Sequence, residues 1–313
     1  MLLWTYKEQF CMIKNNNLIL SQSETKELGV FVIDDQVEEI DYCPKRYYHK
    51  YIAEDYPREP SRAMLEGLYG ETLLLGSSAK GEKIEDLPRK NDGTKRVSQI
   101  RIERQMDRLY GYMYAHGIRI NPSNTQVRLI AQYRPHIWLK GEFDLFPVLV
   151  NNILSIVDVK TTKDIYSDFF SIADKWVRTA CNHCWGDYAK IVKNQPLFYH
   201  FIARRYKDQP LDFLQRFNPE QSDKLEWLYN TPIDEEEINF WFFVAGIGKA
   251  DMDGQLAKYE YQWNAQREVL LEALVQESVR RVKDAMNSEF EARPSESLCR
   301  SCALKDICKD AKI

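Results

Sequence analysis

Residues 137–160 read IWLKGEFDLFPVLVNNILSIVDVK, and the fold turns on how this stretch is read. Residues 137–146 and 153–160 have the short, apolar, β-branched character of strands, and in the second Val157 and Val159 alternate against Ile156, Asp158 and Lys160. Asn151-Asn152 lies between them, where a hairpin turn would sit. The first arm carries Gly141-Glu142-Phe143-Asp144 and the second carries Asp158-Val159-Lys160. Asp158 and Lys160, at i and i+2 on a strand, leave the same face. An acid and an amine side by side on an otherwise apolar strand are costly unless they serve something. Two carboxylates meeting over one point make a hard-cation site suited to Mg²⁺. Lys160 is then placed to orient, or help deprotonate, a metal-bound water.

Register constrains this reading. Directly paired residues of an antiparallel hairpin share a face. A simple two-residue turn at Asn151-Asn152 pairs Asp144 with Val159 and turns it away from Asp158. A three-residue loop, or a bulge, sets Asp144 opposite Asp158. The alternative reading is an exposed edge hairpin whose Asp and Lys form a surface ion pair.

Outward from the hairpin, the sequence alternates helix and strand signals. Residues 36–52, with Tyr47 and Tyr51 at i, i+4, read as a helix that ends before Pro57 and Pro60. Residues 61–76 read as a second helix, capped by Ser61 and striped by Leu65, Leu68 and Leu75. The polar segment 77–97 reads as a loop, and 98–116 as a third helix with Arg101, Arg104 and Arg108 on one face. Residues 126–133 read as a strand. Helices are expected over 185–206 and 264–288, and strands over 238–246 and 258–263. This order predicts one α/β domain over residues 1–313, with a small mixed central sheet flanked by helices.

Composition sets outer limits. The 313 residues are 44% hydrophobic and 29% charged, a globular balance. No apolar run approaches the ~20 residues of a membrane span. The opening MLLWTYKEQFCMIKNNN lacks a signal-peptide core, so an intracellular, cytoplasmic protein is expected. The net charge of −4 disfavours nucleic-acid binding by counterion release alone; local basic patches or a metal would have to offset it. Five histidines, scattered singly, and the lack of HExxH, G-x-S-x-G and Walker-type sequences leave no rival catalytic set.

Two further motifs accompany the hairpin. Gly67-x-x-x-Glu71 puts a carboxylate on an early helix, one turn after a glycine that permits close approach. Gln195 and Tyr199, in NQPLFYHF, share one helix face and are placed to hydrogen-bond a phosphate or a base. In order and spacing, Gly67 to Glu71, Asp144, Asp158 to Lys160, and Gln195 to Tyr199 resemble the PD-(D/E)xK nuclease superfamily in its RecB-like branch. That branch includes CRISPR-associated and phage exonucleases. The resemblance spans roughly residues 36–310, with Glu71 where many relatives have His. It implies a restriction-endonuclease-like core and a Mg²⁺- or Mn²⁺-dependent deoxyribonuclease. Glu71, Asp144, Asp158 and the Val159 carbonyl would hold the metal, Lys160 would position the water, and Gln195 and Tyr199 would contact DNA. It favours an exonuclease on single strands or duplex ends, with a recombination or replication protein as a further partner and a phage origin in view. The alternatives are an endonuclease of the same superfamily, or a catalytically idle DNA-binding or recombination-partner module.

Seven cysteines, at 11, 43, 181, 184, 299, 302 and 308, are an odd count in a chain that is not small, and a disulfide framework is not expected in a cytosolic setting. Five of them fall in two tight clusters, as metal or cluster ligands do. The same resemblance implies that Cys43, which precedes Pro44 in YCPKRYY, joins Cys299, Cys302 and Cys308 around a 4Fe–4S cluster. The cluster would staple the segment 36–60 to the tail 289–313. The competing arrangement is a zinc site of Cys181, Cys184, Cys299 and Cys302. Among the basic residues, Arg204 or Arg205 is the expected DNA contact; most others read as solvated helix faces.

Overall fold

The computed structural model describes residues 13–311, apart from 15–16, 34, 57–60, 77–83, 85, 92, 163–193, 234–237, 248–255 and 301. Its strands are β1 (Ile13–Lys14), β2 (Asn17–Ser21), β3 (Val30–Ile33), β4 (Gln36–Glu39), β5 (Thr125–Arg134), β6 (Ile137–Val150), β7 (Ile153–Thr162), β8 (Asn239–Gly246) and β9 (Leu256–Tyr261). The α-helices are α1 (Gln22–Glu27), α2 (Pro44–Tyr47), α3 (Arg62–Leu75), α4 (Val97–Ala115), α5 (Asn194–Arg205), α6 (Leu211–Phe217), α7 (Ser222–Asn230), α8 (Ala265–Asn287) and α9 (Glu296–Arg300). Ser61 caps α3 by accepting the Met64 N–H at 3.2 Å, and Gly76 ends it in the left-handed region.

The central sheet runs β1-β2-β6-β7-β8-β9, with β5 on the other side of β6. It is mixed: β2 pairs β6 and β7 pairs β8 in parallel, while the remaining pairs are antiparallel. Helices cover both faces, as expected. On one face Leu197, Phe198 and Ile202 of α5 and Leu271 and Leu274 of α8 share a core with Phe143, Phe146, Ile156, Phe240 and Phe242. On the other, Leu74 of α3 and Ile102, Met106 and Leu109 of α4 pack on Leu145, Val157, Val159, Trp241 and Phe243. β8 is buried on both faces, which is why NFWFFVAG is apolar throughout.

The hairpin resolves the register question. Val150 pairs with Ile153, Leu149 with Leu154 and Val148 with Ser155, so the loop has two residues. Asn151 and Asn152 have φ of 52° and 68°, the left-handed pair that a tight hairpin needs. Beyond Phe146-Pro147 the register shifts, and Leu145 faces Val157. Proline supplies no ladder N–H and sits comfortably at such a bulge. Continued by one residue, the shifted register sets Asp144 across from Asp158. There the two strands part. The near end of β6 pairs instead with β2 over Ile137–Lys140, while β7 continues along β8 to Thr162. A fork is left between β6 and β7.

Several sequence expectations change. Residues 36–39 are a strand, not the start of a helix: Val37 faces Val32 and Glu39 faces Val30 in the β3–β4 hairpin. The helix begins at Pro44, whose missing N–H suits a first turn, and continues as a π-helical turn over Tyr48–Ile52. The remaining segments match to within a few residues, except that the helix expected over 185–206 is described only from Asn194. No helix among the described residues is long and apolar enough to cross a membrane.

Candidate active site

Asp144 and Asp158 meet in the fork. Asp144 is 5% exposed and Asp158 1%. The Val159 N–H donates to Asp144 Oδ2 at 2.7 Å, so the carboxylate takes a place that a strand carbonyl would otherwise hold. The Gln195 side-chain amide donates to Asp158 Oδ1. Asp158 Oδ2 accepts no hydrogen bond of good geometry and lies 2.5 Å from the Lys160 ammonium. The alternation of β7 turns Asp158 and Lys160 to one face, as predicted.

Burial, together with the negative charges of Asp158 and Glu71, pushes the Asp144 carboxyl well above the usual carboxylate range. Such a pair is repulsive in isolation, and a bound dication relieves it. The donors are hard oxygens, two of them carboxylates, which suits Mg²⁺ or Mn²⁺ better than softer metals. Among the described residues no three His, Cys, Asp or Glu side chains form a complete metal-holding group.

Glu71 stands on α3, near enough to act on both Asp144 and Glu142. The glycine that permits close approach is less Gly67 than Gly70. A Cβ on Gly67 would meet only Thr161 Oγ1, at 3.7 Å, whereas one on Gly70 would meet Met106 Sδ and Thr161 Cγ2 at 3.4 Å. α3 is thereby held between the end of β7 and α4.

Gln195 and Tyr199 also reach the site, but from its inner side. Tyr199 is 6% exposed; its hydroxyl donates to the Glu142 carbonyl at 2.6 Å and its ring lies 4.6 Å from that of Phe143. A Cβ on Gly141 would come within 2.9 Å of the same ring, so only glycine lets α5 approach β6 this closely. One residue before Gln195, Asn194 donates to the Val30 carbonyl at 2.9 Å and accepts the Val32 N–H at 2.8 Å. The start of α5 is pinned to β3, and Gln195 with it.

Glu142 had no assigned role in the sequence, although its i, i−2 relation to Asp144 on a strand was the available signal. Burial raises its carboxyl to about 7, helped by Glu71 and opposed by Arg128. Arg128 Nε lies 3.4 Å from Glu142 Oε1. Lys224 of α7 also feels Glu142, and burial holds its ammonium below the usual lysine range. Arg204 lies over the Trp263 ring at 5.8 Å, and Arg205 faces Asp208 at 3.5 Å.

The cysteine segments meet. The Tyr56 hydroxyl donates to Cys302 Sγ at 3.8 Å and accepts the Ala303 N–H at 2.8 Å, while Lys45 faces Asp310 at 3.5 Å. Cys43, Cys299, Cys302 and Cys308 are all free thiols, a donor set right in kind for a cluster but not drawn into one ligating group. Cys11, Cys181 and Cys184 lie outside the described residues, and the zinc alternative with them.

The family model of the PD-(D/E)XK nuclease superfamily matches residues 35–309, and the chain belongs to that superfamily. A solved structure of a candidate exonuclease from Eubacterium rectale is similar in fold, with a TM-score of 0.56 at 16% identity; the match covers 98% of this chain and 94% of that one. No curated protein matches the sequence.

Proposed function

We propose that the chain is a Mg²⁺- or Mn²⁺-dependent deoxyribonuclease of the RecB-like branch, acting on DNA ends as an exonuclease. The observation that carries the reading is the buried Asp144–Asp158 pair with Lys160 at 2.5 Å, where the bulged register brings both acids into the fork. Asp144, Asp158, Glu71 and the Val159 carbonyl would hold the metal. Bound there, the metal would stabilise charge on the phosphoryl and leaving oxygens and lower the pKa of a water. Lys160, its ammonium held by Asp158, would orient the attacking water by donating to it. Gln195 fixes Asp158 with one amide N–H and keeps a second, and Tyr199 fixes the backbone of β6; its single hydroxyl proton reaches a phosphate only by leaving the Glu142 carbonyl.

We further propose that Cys43, Cys299, Cys302 and Cys308 hold a 4Fe–4S cluster with a structural role. Its support is the sequence resemblance and the contact of Tyr56 with Cys302. The decisive assay incubates the protein and Mg²⁺ with nicked plasmid, linear duplex and circular single strand. Loss of linear DNA alone supports the exonuclease; cutting of circles means an endonuclease; no loss in Mg²⁺ or Mn²⁺ overturns the nuclease activity.

A further inference from the structure

Among the described residues, most arginines are neutralised by a carboxylate. Arg62 pairs with Glu66, Arg216 with Asp212 and Arg300 with Glu296, and on α8 Arg280 is bracketed by Glu277 and Asp284. On α4 the pattern breaks. Arg101, Arg104 and Arg108 form no ion pair or hydrogen bond with any described residue, and Arg104 and Arg108 are exposed. Glu103, which could compensate them, is taken by Lys95 at 2.7 Å and Tyr69 at 2.6 Å. That leaves Asp107 as the acid on this exposed face of α4.

The same helix exposes two aromatics. Tyr110 is 49% and Tyr114 52% exposed; their rings stack on each other at 6.5 Å, and the Arg119 guanidinium lies 3.7 Å over Tyr114. At ~100° per residue the arginines occupy one shoulder of the solvent face and the tyrosines the other. Gly111 lies between the shoulders, with open space where its Cβ would be. Successive arginines rise ~4.5 and ~6 Å along the axis, steps that an extended strand can match one nucleotide at a time. A nucleic-acid strand has this same two-sided chemistry, with phosphates on one edge and flat π-faces on the other. Duplex DNA keeps its base faces hidden, so exposed tyrosines select a single strand.

We propose that the solvent face of α4 is a track for single-stranded DNA, with phosphates along Arg101, Arg104 and Arg108 and bases on Tyr110 and Tyr114. The track deepens the nuclease reading and rests on it. α4 packs beside α3 on the Val157 and Val159 face of the sheet: Gly70 of α3 meets Met106 and Ile102 of α4, and its neighbour Glu71 acts on Asp144.

The test measures binding of labelled oligo(dT) and of a duplex of equal length to the full chain in EDTA, across a salt series. The triple variant Arg101→Ala/Arg104→Ala/Arg108→Ala is expected to lose about tenfold or more in single-strand affinity, with the log–log salt slope reduced by roughly 2. Tyr110→Ala/Tyr114→Ala is expected to weaken single-strand binding at unchanged slope and to leave duplex binding unchanged. Melting temperatures confirm that these surface variants fold. Unchanged affinity and slope in the arginine variant overturns the track. Equal losses on single strand and duplex in the tyrosine variant overturn the single-strand assignment. Because EDTA removes catalysis, the outcome is independent of whether the wild type cleaves DNA in Mg²⁺, the separate test of the nuclease reading.

Discussion

Asp144 and Val159 are joined side chain to backbone across the fork, with Oδ2 2.7 Å from the Val159 nitrogen. This contact holds the two strands in fixed relation just where their own ladder ends. It also commits one oxygen of Asp144 and leaves the other for a cation. Asp144→Asn keeps an oxygen acceptor for Val159 and removes the charge that opposes Asp158. DNA cleavage in Mg²⁺ is expected to vanish while the melting temperature in EDTA rises. Near wild-type turnover in Asp144→Asn or Asp158→Asn would sink the assignment of the metal site.

Lys160 has Asp158 as its anchor and the fork as its outlet. Lys160→Ala is expected to lower turnover by ~10²-fold or more with DNA affinity largely kept. Lys160→Arg is expected to rescue little, since a planar fork replaces a compact ammonium poorly. A proportional loss of binding and turnover would identify Lys160 as a phosphate anchor instead.

Glu142 gives the metal-free protein a pH dependence. Its folded-state carboxyl titrates at about 7 against ~4.3 in an unfolded chain. The neutral form is therefore favoured by folding. This contribution is complete below ~4.3 and is lost as pH rises through about 7. His200 acts in the opposite sense, because burial lowers its imidazole to about 4; stability from the neutral ring is lost as pH falls below ~6.5. The two are separated by comparing wild type with Glu142→Gln in EDTA. The variant is expected to be the more stable by a margin that grows from pH 5 to pH 8. A margin flat across that range would exclude Glu142 as the titrating group.

Gly141 makes room for Tyr199. Gly141→Ala brings a methyl to within 2.9 Å of a ring that is itself wedged against Phe143. A loss of ~1–3 kcal/mol is expected from overpacking, together with reduced turnover as Tyr199 and Glu142 shift. Urea denaturation measures the first and single-turnover cleavage the second.

The cysteines give a spectroscopic prediction. Anaerobically purified protein is expected to be brown, and Ala at Cys43, Cys299, Cys302 or Cys308 to remove the colour and lower the melting temperature. Ala at Cys11, Cys181 or Cys184 is expected to do neither. Colourless protein carrying zinc that depends on Cys181 and Cys184 would establish the alternative site.

Much of this site was legible because strand periodicity is local: Asp158 and Lys160 share a face whatever surrounds them. The bulge was legible only as a requirement, since nothing in Phe146-Pro147 states which way a register shifts. Gln36–Glu39 was misread because its strand character comes from pairing with Val30–Ile33 and not from its own polar residues. The short helices α6 and α7 were passed over, although Leu211 and Leu214, then Leu225 and Leu228, repeat at i, i+3. The inward turn of Gln195 and Tyr199 was invisible for another reason. Their spacing fixes a helix face, and only tertiary packing decides whether that face meets solvent or a strand.

The parallel pairing of β7 with β8 has a consequence for how the chain is made. Its partners run from Ser155 with Asn239 to Thr162 with Gly246, so the strand bearing Asp158 and Lys160 waits for a neighbour synthesised long after it. Until Asn239–Gly246 emerges, β7 is a long apolar edge with free backbone groups, the kind of template on which nascent chains aggregate. The active fork is therefore among the last features to close, and a chain interrupted before Asn239 yields an adhesive fragment, not a smaller nuclease. Non-local closure of this kind also makes for slow folding, which would keep an unfinished nuclease domain inert during translation.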